Sequence, residues 1–393
     1  MLVTPISPSD RGNGLAMRAG MFLDALAAVA PVHLVVVPAA GRVPLDEWAT
    51  SRARQVTVIE LVSEADAERH VVMQMGDATL RAQLERTAPL PARARTAPAT
   101  LAASAAEALH ALATHSPVVL SMRNYLAPFG ITLARKLGAS RIVVDLDDDD
   151  EALLHAAGHL DEAASAARLA RAWLPTVDAV TLASPYEAEH VARRYELTNV
   201  DVIANAARRP ITKPSSPSGA RVLFVGNLTY APNIDAARTL VLDVLSALRQ
   251  THPSATVELV GVCDERIDDL RGVEGVTVVG PVPDVAPWYE RAAAVVVPLE
   301  SGGGTRIKVL EAFAHQRPVV ATPAAVAGLD VRPGVDVLLG STPAELAHAT
   351  ATVLADPIVA QRLTAAALET FAGHYAPDVV APIIRRVVLG DEC

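Results

Sequence analysis

The chain has 393 residues, 51% of them hydrophobic and 20% charged, enough for two domains that each bury a core. A formal net charge of -10 sets a field that repels nucleic acid and anionic membrane, so a nucleic-acid partner is not expected. Two cysteines, Cys263 and Cys393, far apart in sequence, give no disulfide framework and no cysteine metal site, and fit a reducing compartment.

The first ten residues lack the basic-then-apolar order of a signal peptide, and apolar runs such as Val32–Val37 are strand-length, too short to span a bilayer. A cytoplasmic protein with at most peripheral membrane association is expected. Gly12 and Gly14 flank Asn13 just before a helix with apolar Leu15, Met21, Leu23 and Leu26. Arg18, one turn into that helix, is expected to face a cleft or solvent. Strands are predicted at Val32–Val37, Gln55–Leu61, Val118–Ser121, Arg141–Leu146, Ala179–Leu182 and Asp201–Ile203. A second series follows at Val222–Val225, Thr256–Val260, Val276–Val279, Ala293–Pro298, Val319–Thr322 and Asp336–Leu339. Each is apolar on both faces, as a parallel strand covered by helices must be, and the strands alternate with alanine- and leucine-rich helical stretches. The pattern predicts α/β architecture with two Rossmann-like, doubly wound parallel sheets.

Pro89–Pro98 (PLPARARTAP) is expected to be an arginine-bearing loop within the first lobe, and His115 to be structural. Ala206–Ala220, with three prolines and three serines, has linker composition. The expected division is residues 1–205, a linker at 206–220, a second domain at 221–373, and a C-terminal helix within 374–393 packing back on the first domain. Two such lobes are expected to face across a cleft, with ligand at the carboxyl ends of the strands.

The most informative stretch, residues 293–322 (AAVVVPLESGGGTRIKVLEAFAHQRPVVAT), reads as strand, glycine loop, helix, turn, strand. Gly302, Gly303 and Gly304 permit close backbone approach to a ligand, and Thr305 is a good N-cap. Free N–H groups and the helix dipole make an anion site there. Arg306 and Lys308 sit in the first turn, where the dipole disfavours cations unless an anion neutralises them. Glu311 shares a face with Lys308 and is placed to accept from sugar hydroxyls. The plainer alternative is a glycine-rich turn followed by a surface Lys308–Glu311 pair.

SGGGTRIKVLEAFAHQRPVVAT resembles the donor-site segment of glycosyltransferase family 4, most closely the branch found in bacterial exopolysaccharide gene clusters. FVGNLTYAPNIDAARTL is similar to the start of the second lobe in that branch, through Gly226, Tyr230, Pro232, Asn233, Asp235 and Ala236. The resemblance covers about 220–340. It implies the GT-B fold, an NDP-sugar donor as co-substrate, no required cofactor or metal, and retention at the anomeric carbon. It implies that Glu311 holds the nucleotide ribose, while Gly303 stands where the family has its first glutamate. After the first strand of the second lobe, where many members carry Arg and Lys, this chain has Gly226 and Asn227 and no base until Arg238. Arg306 and Lys308 would then supply the charge facing the diphosphate. Gly12 and Gly14 resemble the family's first-lobe glycine loop, and Val282, stiffened by Pro281 and Pro283, stands where the family flanks the nucleobase. Trp288 and Tyr289 are read as packing residues.

The acidic run Asp145, Asp147, Asp148, Asp149, Asp150, Glu151 admits three readings: a favourable helix N-terminus, an Asp-x-Asp metal site, or Asp147 facing the acceptor. Arg123 and Asn124, at the carboxyl end of their strand, are acceptor-side candidates. Ser184 and Glu187 form a capping pair, and Asn205 stands where the family often has Pro-Asn-Gly. The expected partners are a nucleotide-sugar donor and a glycan, lipid-linked or small-molecule acceptor, with a homodimer compatible. Two other functions fit the same fold: a sugar-nucleotide 2-epimerase, and a silent nucleotide-sugar-binding subunit.

Overall fold

The computed structural model describes residues 1–37, 45–59, 117–208, 219–301 and 306–390. The chain divides into two compact units: Met1–Ile203 with Ala381–Cys393, and Ala204–Val380. Pro89–Pro98, His115, Cys393 and residues 209–218 of the expected linker lie outside the described residues.

Unit 1 carries a seven-stranded sheet of β1 (Leu2–Thr4), β2 (His33–Val36), β3 (Gln55–Val58), β4 (Val118–Met122), β5 (Arg141–Asp147), β6 (Ala179–Leu182) and β7 (Val200–Val202). Their order is β3-β2-β1-β4-β5-β6-β7, every pair parallel. β1, the strand at which the order reverses, is not among the strands expected from the sequence. It is three residues long and runs straight into Pro5, which is too short for a periodicity to register. The helix Gly14–Ala27 begins where expected: Asn13 caps it, its Oδ1 accepting from the Ala16 N–H at 2.8 Å, after Gly12 at φ 97°.

Arg18 departs from the sequence expectation. It faces neither cleft nor solvent but is 1% exposed. Its Nε and Nη2 donate to both oxygens of Asp145 at 2.9 and 2.7 Å, and its Nη1 donates to the Ile203 carbonyl at 3.0 Å. Thr181 Oγ1 adds a third donor to Asp145 at 2.6 Å. A buried carboxylate needs such a set, because desolvation is repaid only by complete pairing.

Unit 2 carries a six-stranded parallel sheet ordered β10-β9-β8-β11-β12-β13. The strands are β8 (Arg221–Val225), β9 (Thr256–Val260), β10 (Val276–Gly280), β11 (Ala294–Val297), β12 (Val319–Ala321) and β13 (Leu338–Leu339). β11 is fully buried along AVVV, as a central strand sandwiched between helix layers must be. Both units are doubly wound, with the order reversing between β1 and β4 and between β8 and β11. The last helix, Pro377–Leu389, contains Pro382 and runs across the division into unit 1. There Arg385 Nε donates to the Ala25 carbonyl at 2.9 Å, and Arg141 Nη2 donates to the Val387 carbonyl at 3.1 Å. Among the described residues no helix is long and apolar enough to cross a membrane.

Candidate functional site

Ligands of doubly wound sheets bind outside the carboxyl ends of the strands, where the order reverses. In unit 2 that point lies between β8 and β11, and the residues following these strands meet there. Gly226 closes β8. A Cβ at Gly226 would sit 2.9 Å from Lys308 Nζ, and one at Gly261 would sit 1.9 Å from the Gly226 carbonyl oxygen, with Gly261 at φ 140°. Gly261 therefore needs glycine, both for its positive φ and for the backbone it meets, while at Gly226 a side chain would displace the tip of Lys308.

The helix after β11 spans Ile307–Ala314. It begins at Ile307 with Arg306, at ψ 75°, in the N-cap position that the sequence assigns to Thr305. The non-helical Arg306 backbone delays the helix by one residue. Gly302, Gly303, Gly304 and Thr305 lie outside the described residues. Arg306 is 9% exposed and its Nη2 donates to the Ala324 carbonyl at 3.4 Å, in the turn after β12.

Lys308 is half-buried. Its Nζ donates to Asn233 Oδ1 at 2.6 Å and lies 4.3 Å from the centre of the Phe224 ring. Burial, then the Arg306 guanidinium, pushes its ammonium down to about 7, against the pull of Glu311. Glu311 accepts from Tyr289 Oη at 2.9 Å, and burial raises its carboxyl to about 7 against Tyr289 and Lys308. The same tyrosine hydroxyl lies 3.3 Å from the Lys308 carbonyl, and its ring stacks on His315 at 4.7 Å between centroids. Lys308 and Glu311 thus each take a partner from another element, Asn233 and Tyr289, and do not form the plain surface pair. Asn227 turns its Oδ1 onto Thr229, accepting from N at 3.0 Å and Oγ1 at 2.8 Å. Val282, half-buried after β10, packs against the core of the unit.

Two residues of this constellation do not stand out as functional in the sequence. Asn233 belongs to the Pro-Asn-x-Asp-Ala stretch, and Tyr289 reads as packing. Tyr289 is fully buried, and a buried phenol needs a hydrogen-bond partner, which is the signal that could have found it. Tyr289→Phe, which leaves Glu311 one donor short, is expected to cost about 1–3 kcal/mol of stability in thermal or urea melts.

In unit 1 the acidic run resolves residue by residue. Asp145 belongs to the Arg18 pair. Asp149 caps the helix Asp150–Ala156 through the Ala152 N–H at 3.1 Å, as the helix-start reading expects, and accepts from Arg194 at 2.9 Å. Arg123 bridges Asp147 at 3.3 Å and Asp148 at 3.2 Å, and is paired with Asp150. Arg123 and Asp147 follow or end adjacent strands, both at positive φ, 72° and 65°. Such backbone persists only where its surroundings over-determine it. Burial, then Asp148, pushes the Asp147 carboxyl up to about 7, against Arg18 and Arg123. Asn124 is buried, its Nδ2 donating to the Ala166 carbonyl at 2.9 Å. Ser184 caps the helix Pro185–Tyr195 with reciprocal bonds to Glu187. Among the described residues no group of three or more His, Cys, Asp or Glu is arranged to hold a metal ion.

Known proteins can be set beside this geometry. Residues 219–356 match the family model Glycosyl transferases group 1. A search of curated proteins finds no match. Among solved structures, sucrose-phosphate synthase from Thermosynechococcus elongatus is similar over 98% of this chain and 97% of its own, with TM-score 0.69 and 19% identity. HepE of Anabaena, solved with UDP and glucose, is similar over 99% of each chain, with TM-score 0.66 and 15% identity. A trehalose-6-phosphate synthase, studied for glycosyl transfer with retention, is similar over 98% of each chain, with TM-score 0.67 and 15% identity. The chain therefore has the GT-B fold of these solved structures, and its residues 219–356 are similar to glycosyl transferases group 1.

Proposed function

We propose that this protein transfers a sugar from an NDP-sugar to an acceptor hydroxyl, with retention at the anomeric carbon and without a required metal. The observation that carries this reading is the half-buried Lys308 ammonium, bonded to Asn233 against Gly226 where the strand order of unit 2 reverses. A cation held at that edge, with Arg306 near it and a glycine loop before it, suits a diphosphate. Lys308 and Arg306 would stabilise the charge developing on the leaving diphosphate. Glu311, with Tyr289 on one oxygen, keeps the other for ribose hydroxyls. In a front-face reaction the leaving phosphate takes the acceptor proton, so no protein nucleophile is required. Arg123 and Asp147, at the carboxyl ends of β4 and β5, would serve the acceptor, while Asn124 is turned onto the Ala166 carbonyl. The nucleotides in the HepE structures, UDP and UDP-glucose, make uridine donors the first to try.

Incubation with NDP-sugars and an acceptor panel, read by proton NMR at the new anomeric centre, tests the proposal. The expected result is product with the donor's configuration, at a rate unchanged by EDTA. An inverted product or loss of activity in EDTA would contradict it. Change of the NDP-sugar without acceptor would indicate the epimerase instead, and binding without any product the silent subunit.

A further inference from the structure

On the reading of the unit 2 edge as a diphosphate site, we propose that Asn233 is a positioning residue whose side-chain oxygen holds the Lys308 ammonium over the Gly226 loop. The stretch after β8, residues 226–232 (GNLTYAP), brings no cation of its own, and Lys308 reaches it from the helix that follows β11. A lysine on a flexible four-carbon stem does not stay in one place unaided. Here two contacts fix it, the Asn233 oxygen at 2.6 Å and the Phe224 ring face at 4.3 Å, and Gly226 leaves room for it.

Asn233 is itself held. Its Nδ2 donates to the Asn227 carbonyl at 2.8 Å and its backbone N–H to the Tyr230 carbonyl at 2.9 Å. Only one orientation of the amide puts its nitrogen on a carbonyl and its oxygen on an ammonium, so the network itself sets the flip. The choice of amide over carboxylate has a chemical consequence. A neutral acceptor orients the ammonium yet leaves its charge uncompensated for an incoming anion, whereas an aspartate at this position would pair with it. The other charged groups acting on Lys308 are Arg306 and Glu311.

The sequence holds three lysines, Lys136, Lys213 and Lys308, so lysine side-chain NMR can follow Lys308 directly in the full chain. Asn233→Asp is expected to raise the Lys308 titration midpoint by at least about one pH unit and to weaken pyrophosphate and nucleoside-diphosphate binding at pH 6 roughly tenfold. Asn233→Ala, the variant to use if the aspartate perturbs folding, is expected to weaken the same binding roughly tenfold while the melt stays cooperative. A Lys308 midpoint unchanged in Asn233→Asp, or wild-type pyrophosphate affinity in a folded Asn233→Ala, would overturn the proposal. Lys308→Ala separates the two ideas: wild-type pyrophosphate and nucleotide binding in that variant would end the diphosphate reading, while the lysine titration still decides whether Asn233 governs Lys308.

Discussion

Lys308→Ala is expected to lower sugar transfer about a hundred- to a thousand-fold while the protein melts as a folded chain, a loss of the size seen when one preorganised transition-state stabiliser is removed. The loss should fall mainly on kcat, because the charge on the diphosphate grows as the glycosidic bond breaks. The same residue sets an expected pH dependence. Lys308 in the unliganded protein titrates near 7, and the Glu311 carboxyl also titrates near 7. As pH rises through that region the site loses positive charge from the first and gains negative charge from the second. Diphosphate affinity should therefore fall with rising pH, each of the two groups costing up to about tenfold per pH unit until the bound form also titrates. Calorimetry at several pH values checks this, and Lys308→Ala should flatten the curve.

The second large effect belongs to unit 1. Arg18→Ala strips the fully buried Asp145 of two of its three side-chain donors and leaves the Ile203 carbonyl without its guanidinium partner. Removing one member of a buried ion pair costs about 3–5 kcal/mol, because the other charge remains desolvated. For a unit of this size that is a fall in melting temperature of roughly 6–20 °C. The double variant Arg18→Leu with Asp145→Leu should recover part of the loss, since no charge is then stranded. A melt unchanged in Arg18→Ala would show that the pair does not hold the first helix to β5.

How much of the molecule is legible in the sequence depends on how local the signal is. The strands β8 and β11 are runs apolar on both faces, and in a chain alternating with helices such a run is the mark of a parallel strand covered on both sides. The Ser184–Glu187 cap needs only residues three positions apart, and the structure forms it; Asn13 and Asp149 cap their helices on an equally local basis, though the sequence shows them only as residues before a helix. Lys308 and Glu311 are legible as unusual residues near a glycine loop, but their partners are not. Asn233 is 75 residues from Lys308, and Tyr289 is 22 residues from Glu311. Pairing at that distance is set by which strands lie side by side, here β8 beside β11, and composition does not carry strand order. Arg18 escapes for the same reason. An arginine on a helix is ordinarily solvated, and only the placement of β5 beneath that helix brings Asp145 to meet it. The thread from Asp147 to Arg123 likewise depends on β4 and β5 ending together.

The central claim is that a diphosphate is held at the carboxyl edge between β8 and β11. A crystal structure of the protein grown with a nucleoside diphosphate tests it most directly. The expected result is a phosphate oxygen within about 2.7–3.2 Å of Lys308 Nζ, close against the Gly226 backbone. Nucleotide bound elsewhere, with the Lys308 ammonium still bonded to Asn233 and touching no phosphate, would contradict the account.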